Sequence, residues 1–186
     1  MKKTLIALAL LLAAGVLGYL RFVGSRGALQ AQRAAVGASW STVDAALRDF
    51  ADLLPPLAAK VKMPEKLKAQ AQQTISAARD DLGRACPARE KIEAYNRLSR
   101  ETARLLLAAD TDARLHEDQA FRQLKDELAD TDNRILVARR KYNEALERYN
   151  ASLSLFPNNV VAAISGFSRD DAYFPTVPDT RASDKE

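Results

Sequence analysis

Any chemistry in this chain would have to be assembled from few parts, since its 186 residues include one His and one Cys. His116 stands beside Glu117 and Asp118, residue types that bind divalent metals. No second His or Cys lies near it, so the trio reads as solvated surface at a helix start. Cys86, in Arg84-Ala85-Cys86-Pro87, would need a base-supplying partner to become a thiolate nucleophile, and none is indicated. A single Cys also excludes an intramolecular disulfide framework. Asp130 and Asp132 are the carboxylates that a cofactor-free hydrolase would use. Arg and Lys interleave with the acids of this stretch, which favours ion pairing or a solvated face over acid–base work. Arg139-Arg140-Lys141 is the most basic triplet and would suit an anionic surface, although Glu144 lies four residues after Arg140 and balances it. A nucleic-acid site would ask for a broader basic stripe carrying aromatic platforms, and the aromatics here fall in apolar rows. There is no Gly-x-Ser-x-Gly, phosphate-binding loop or dinucleotide fingerprint. The chain therefore reads as a non-enzyme, with no cofactor, metal, nucleic acid or small-molecule substrate expected.

The more unusual polar set is Asn133, Arg134, Asn143 and Asn150. Asn143 and Asn150 are seven residues apart, each directly after a tyrosine (Tyr142 and Tyr149), so they share one stripe of a helix. Asn is a mediocre helix former, and its repeated use predicts either a hydrogen-bonded polar seam between helices or a recognition surface for a partner.

The elements that must position these residues are helical. Few Gly and few β-branched residues accompany an abundance of Ala, Leu, Arg, Glu and Gln, and no alternating strand pattern occurs. Leu29, Val36, Val43 and Phe50 recur every seven residues, with Trp40, Leu47 and Leu54 in an adjacent row, predicting a helix over about 29–54. A second helix is expected over 65–84, carrying Leu67, Ala71, Ile75, Ala78 and Leu82, and a third over 88–109. The strongest pattern is Phe121, Leu128, Ile135, Tyr142, Tyr149 and Phe156, again every seven residues. Small or polar companions at Thr131, Ala138, Ala145 and Ser152 suggest close approach of another helix. Favourable acid-before-base pairs are Asp130 with Arg134 and Glu144 with Arg148. The expected architecture is all-α, an N-terminal membrane helix followed by an elongated antiparallel bundle of about four long helices with coiled-coil-like heptads.

Met1-Lys2-Lys3 precedes 17 uncharged residues, Thr4 to Leu20, and then Arg21. As a helix that stretch spans about 26 Å, the short end of what a bilayer requires. Residues 1–23 are read as a transmembrane anchor, with a cleaved signal segment as the alternative. Residues 24–27 (Gly-Ser-Arg-Gly) read as a flexible linker, 28–167 as the bundle, and 168–186 as a disordered tail. Bases on both sides of the apolar run nearly balance the positive-inside rule, with a slight lean to an extracytoplasmic body. The net charge of +4 and pI near 9.3 come largely from this flank. Without Lys2, Lys3 and Arg21, the 28 basic side chains fall to 25 against 24 acidic ones in residues 22–186.

Leu128-Ala129-Asp130-Thr131-Asp132-Asn133-Arg134-Ile135, Ala138-Arg139-Arg140-Lys141-Tyr142-Asn143, Tyr149-Asn150 and Phe156-Pro157-Asn158-Asn159 together resemble the carboxy-terminal signature of the LemA family. Gly166-Phe167 and Tyr173-Phe174 continue the likeness, and Trp40-Ser41-Thr42-Val43-Asp44 with Asp52-Leu53-Leu54-Pro55 resembles its amino-terminal signature. The resemblance implies a bacterial inner-membrane protein with one N-terminal span and a helical bundle, and supplies no enzymatic reaction. Family members are linked to magnetosome membranes in one branch and occur near TPM-domain membrane proteins in others. It therefore implies a scaffold that binds a protein partner or self-associates at the membrane.

Overall fold

The computed structural model describes residues 2–84 and 86–175. The helices are α1 Lys2–Lys60, α2 Glu65–Gly83, α3 Ala88–Ala109, α4 Ala113–Glu117, α5 Gln119–Ser154 and α6 Asn158–Ser165. No strand occurs among the described residues, so the all-α bundle with a long apolar N-terminal helix is what the chain forms. The short α4 and α6 join the four long helices expected from periodicity.

The largest departure is at residues 24–27, which are not a linker: α1 runs through them unbroken. A helical Gly costs about 1 kcal/mol relative to Ala, so two of them weaken the helix without forbidding it. Burial explains why it holds. Phe22 and Ser25 are half-buried and Leu29 is fully buried, so the heptad row of α1 starts at Phe22, upstream of the glycines. Pro55 and Pro56 are also carried inside α1, where Leu54, Leu57 and Ala58 are buried around them. Packing on both sides offsets the hydrogen bonds that the two prolines remove.

The chain divides into two compact units. The first consists of Met1–Ser39 and Glu144–Asp171. Its core is Leu29, Tyr149, Leu153, Val161 and Ala162, with Phe22, Val36 and Phe167 packed against it. Here α5 stops at Ser154 because Pro157 disfavours a helical residue before it, so Phe156 leaves the heptad row and is exposed. Gly166, at φ 73°, closes α6 in the left-handed conformation that glycine adopts without a Cβ penalty, and the Phe167 N–H reaches the Ala162 carbonyl at 3.1 Å.

The second unit consists of Trp40–Asn143 and Ala172–Glu186. Ala71, Ile75, Ala78 and Leu82 of α2 are buried as the spacing required, whereas Leu67 is exposed. Ile92, Tyr95, Leu98, Thr102 and Leu105 form the buried face of α3. The Asp112 carboxylate caps α4 by accepting from the Arg114 N–H at 3.2 Å. Asp118 caps α5, accepting from the N–H groups of Ala120 (2.8 Å) and Phe121 (3.2 Å), and pairs with Lys60 at 2.8 Å. Asp118 sits below the usual carboxylate range, held there first by the Lys60 hydrogen bond and then by the capped amides. His116 lies in the last turn of α4, its Nε2 3.4 Å from the Asp110 carbonyl oxygen.

Among the described residues of this unit, one charged side chain is buried. Lys91 of α3 is only 4% exposed, and its Nζ donates to Asp44 of α1 at 2.5 Å. Arg48, one turn along α1, holds the other Asp44 oxygen at 2.6 Å. Breaking a buried pair strands its partner in a poor dielectric, which costs several kcal/mol, while removing both partners does not. Asp44→Ala is therefore expected to destabilise the protein by about 3 kcal/mol in thermal or urea unfolding. The double variant Asp44→Leu/Lys91→Met should recover most of that loss.

Candidate functional site

Helix α5 sorts the sequence candidates onto two opposite faces. At 3.6 residues per turn, Asn133, Arg134, Val137, Ala138 and Lys141 fall together, and Asp132, Arg139 and Asn143 fall on the other side. The first group faces Thr42, Ala45, Ala46 and Asp49 of α1 across a surface groove of about 540 Å³. Its floor is small and apolar, from the alanines and the half-exposed Val137. Its rim is polar, from Thr42, Asn133, Arg134, Lys141 and Asp49. Arg134 spans the rim, with Nη2 donating to Thr131 Oγ1 at 2.8 Å and Nη1 to Asp49 Oδ2 at 3.4 Å. The expected Asp130–Arg134 pairing gives way to this reach across to α1, whereas Glu144 and Arg148 do pair, at 3.8 Å.

The second face holds the C-terminal segment. Residues 168–175 are not a disordered tail; they run extended against α5, and residues 176–186 of the expected tail lie outside the described residues. In the second unit the Asn143 amide donates to the Phe174 carbonyl at 2.9 Å and accepts from the Phe174 N–H at 3.0 Å. In the first unit Asn150 makes the same double contact with Asp170, at 2.7 and 3.1 Å. A primary amide offers donor and acceptor in the geometry of a peptide, so each Asn pairs with the segment's backbone as a neighbouring strand would. The asparagines thus form a seam between a helix and an extended segment, and not one between helices. Tyr149 adds a hydroxyl donated to the Ser168 carbonyl at 2.9 Å, and burial raises its pKa.

Phe174 is what these amides hold in place. It is 1% exposed, with ring centroids 6.3 Å from Trp40 of α1, 6.4 Å from Tyr95 of α3 and 6.0 Å from Tyr142 of α5. The Arg139 guanidinium lies 4.8 Å from its ring centroid and donates to the Pro175 carbonyl at 2.8 Å. Arg139, Arg140 and Lys141 therefore do not form one basic patch: Arg139 grips the segment, Lys141 lines the groove, and Arg140 is exposed on α5. Asp132 accepts a hydrogen bond from the Tyr95 hydroxyl at 3.1 Å, and Asp130 is exposed. Burial, reinforced by the Asp132 charge, pushes the Tyr95 phenol up to about 12. Among the described residues no group of three or more His, Cys, Asp or Glu side chains is placed to hold a metal ion. The sequence reasoning missed the aromatic pocket for Phe174; its one signal was the pair Tyr173-Phe174 inside an otherwise polar tail.

These features define a class: a helical-bundle protein with an apolar N-terminal helix and a C-terminal segment strapped to the long helix α5. The LemA family model matches residues 39–184, and the chain belongs to the LemA family. No curated protein matches the chain.

Two outcomes test the strap and the Tyr95 contact. Phe174→Ala should free the C-terminal segment, seen as faster amide exchange at residues 168–175 and a stability loss of about 3 kcal/mol or more; Asn143→Ala should act in the same direction by about 1–3 kcal/mol. The native Tyr95 phenol keeps its proton to about pH 12, while the unfolded one releases it near 10. The unfolded state then binds fewer protons, so stability is lost as pH rises through this window. Relative to Tyr95→Phe, the wild-type protein should lose about 2–3 kcal/mol between pH 9.5 and 12.

Proposed function

We propose that this LemA-family protein is a non-catalytic interaction module tethered to the bacterial inner membrane by a single N-terminal span, its body leaning extracytoplasmic. The groove between α1 and α5 is the observation that carries this reading. It combines an apolar floor with a polar rim, the composition of a surface that receives a partner segment. Its lining joins residues from both stretches that carry the family likeness: Thr42 from the first, and Asn133, Arg134, Ala138 and Lys141 from the second. Exposed Val137 and the cationic tips of Arg134 and Lys141 suit a partner segment with an apolar face and an acidic residue. The tether is supported by α1, which is long and apolar enough to cross a membrane and whose described side chains up to Arg21 are all exposed. Against a hydrolase, neither Asp130 nor Asp132 lines this groove, and Asp132 is engaged by Tyr95.

A photo-crosslinking residue at Val137, in the full chain in native membranes, should capture a discrete protein adduct, whether a partner or a second copy. The same probe at Gln123, exposed elsewhere on α5, should not. Val137→Glu with Arg134→Glu should reduce capture at least tenfold without lowering Tm. Equal labelling from both sites, or capture insensitive to the double substitution, would remove the groove as the interface.

A further inference from the structure

The first unit contains apolar surface that its own core does not use. From Ser152 to Phe167 the chain has sixteen consecutive residues without a charge, in a protein that is 28% charged overall. One face of α6 is spent on the core, where Val161 and Ala162 are buried with Leu29, Tyr149 and Leu153. The other face carries Val160 and Ile164, spaced i and i+4 and therefore adjacent on the helix, and both are exposed, Ile164 by 69%. Just ahead of α6, in the turn after α5, Leu155 is 62% and Phe156 83% exposed. A short helix with an exposed apolar pair opposite its buried face, next to a bare Leu-Phe turn, is costly to leave in water.

The position of this knob relative to α1 says what covers it. Every described side chain of α1 from Lys2 to Arg21 is exposed, and Phe22 is the first to touch the body. What Phe22 touches is the same cluster that α6 builds. Because α1 continues as a helix through residues 24–27, no flexible spacer separates the apolar run ending at Leu20 from this cluster. Two residues of helical rise amount to about 3 Å. An anchor that ends at Leu20 thus leaves the start of this cluster, to which α6 contributes Val161 and Ala162, beside the interfacial zone of the bilayer.

We propose that Leu155, Phe156, Val160 and Ile164 form a second membrane contact, inserting into the headgroup–acyl boundary of the lipid leaflet that α1 leaves. The occupant is lipid, since these four side chains are uncharged and apolar and the cluster behind α6 is joined to the spanning helix at Phe22. The inserted depth is that of an interfacial amphipathic helix, within about 5–10 Å of the boundary. Such a foot fixes the first unit against the membrane plane, where a single span alone leaves it free to pivot.

This rests on the anchor reading, and site-directed spin labelling separates the two. In a Cys86→Ser background, the full chain would carry one label at Leu12→Cys, Phe156→Cys, Ile164→Cys or Val137→Cys. Each protein would be reconstituted in phosphatidylcholine/phosphatidylglycerol vesicles, and collision with oxygen compared with a water-soluble nickel chelate. The expectation is deep lipid exposure at Leu12, shallow lipid exposure at Phe156 and Ile164, with nickel accessibility at least threefold below that at Val137, and a water-like profile at Val137. Leu12 in lipid with Phe156 and Ile164 as nickel-accessible as Val137 would overturn the foot and leave the anchor standing. Phe156 and Ile164 shielded from both reagents would also overturn it, pointing to protein cover. Leu12 in water would overturn the anchor and the foot together. Since all four labelled positions are exposed, circular dichroism should report an unchanged helix content in each variant.

Discussion

Helix α1 has to be two things along one axis, a bare apolar rod and a packing surface, and the changeover occurs at Phe22 with no loop to absorb a mismatch. Gly24 and Gly27 lower the intrinsic helicity at the worst place, directly after the apolar run. The helix survives because the heptad row starting at Phe22 already buries side chains there, against Leu153 and the α6 face. Tertiary packing overriding propensity is ordinary for helices. Its consequence here is specific: the apolar run ending at Leu20 is joined to the core of the first unit by continuous helix and not by a tether of variable length.

The same balance between propensity and packing decides how much of the molecule could be read from its sequence. Period-seven rows in α1 and α5 were legible because each buries one continuous stripe; from Phe121 to Tyr149 the α5 row is buried at every position. The ends were less legible. Phe156 fits the arithmetic of the row, but Pro157 forbids the backbone it needs, so local stereochemistry overrules periodicity. Residues 24–27 misled in the opposite direction, since a Gly-rich string suggests a break only when nothing packs on its neighbours. The C-terminal segment was the hardest to see. Low hydrophobicity predicts disorder on average, yet one aromatic, Phe174, finds a pocket made by three helices that are far apart in sequence.

Asn143 and Asn150 connect these observations. Their positions in the sequence showed that something needed an amide every two turns of α5, and not what it was. A side-chain amide donates from one atom and accepts at another, in the spacing of a peptide group, which an ionised Asp, an acceptor only, cannot do. An extended segment lying on a helix has backbone groups that would otherwise lack partners on that side. Amides at heptad spacing satisfy one residue of the segment in each unit, and Phe174 contributes the apolar burial that makes docking favourable. The polar seam and the ordered segment are therefore one device, which explains why the two helix-weakening asparagines are tolerated inside a long helix.

That device also bears on why α5 presents so asymmetric a pair of faces. One side is consumed: Arg139, Asp132 and Asn143 are all engaged, by Phe174 and Pro175 or by Tyr95. The other side, from Asn133 to Lys141, packs only part of its surface on α1 and leaves Val137 open to solvent. A cationic triplet that straddles both faces cannot act as one anion-binding patch, because its members point to different tasks. If the strapped side exists to hold the helices in register, the open side is the part of α5 left to meet something else. An apolar groove bordered by cations offers a partner segment both apolar contact and a charge to pair with, which is the basis of the proposed role.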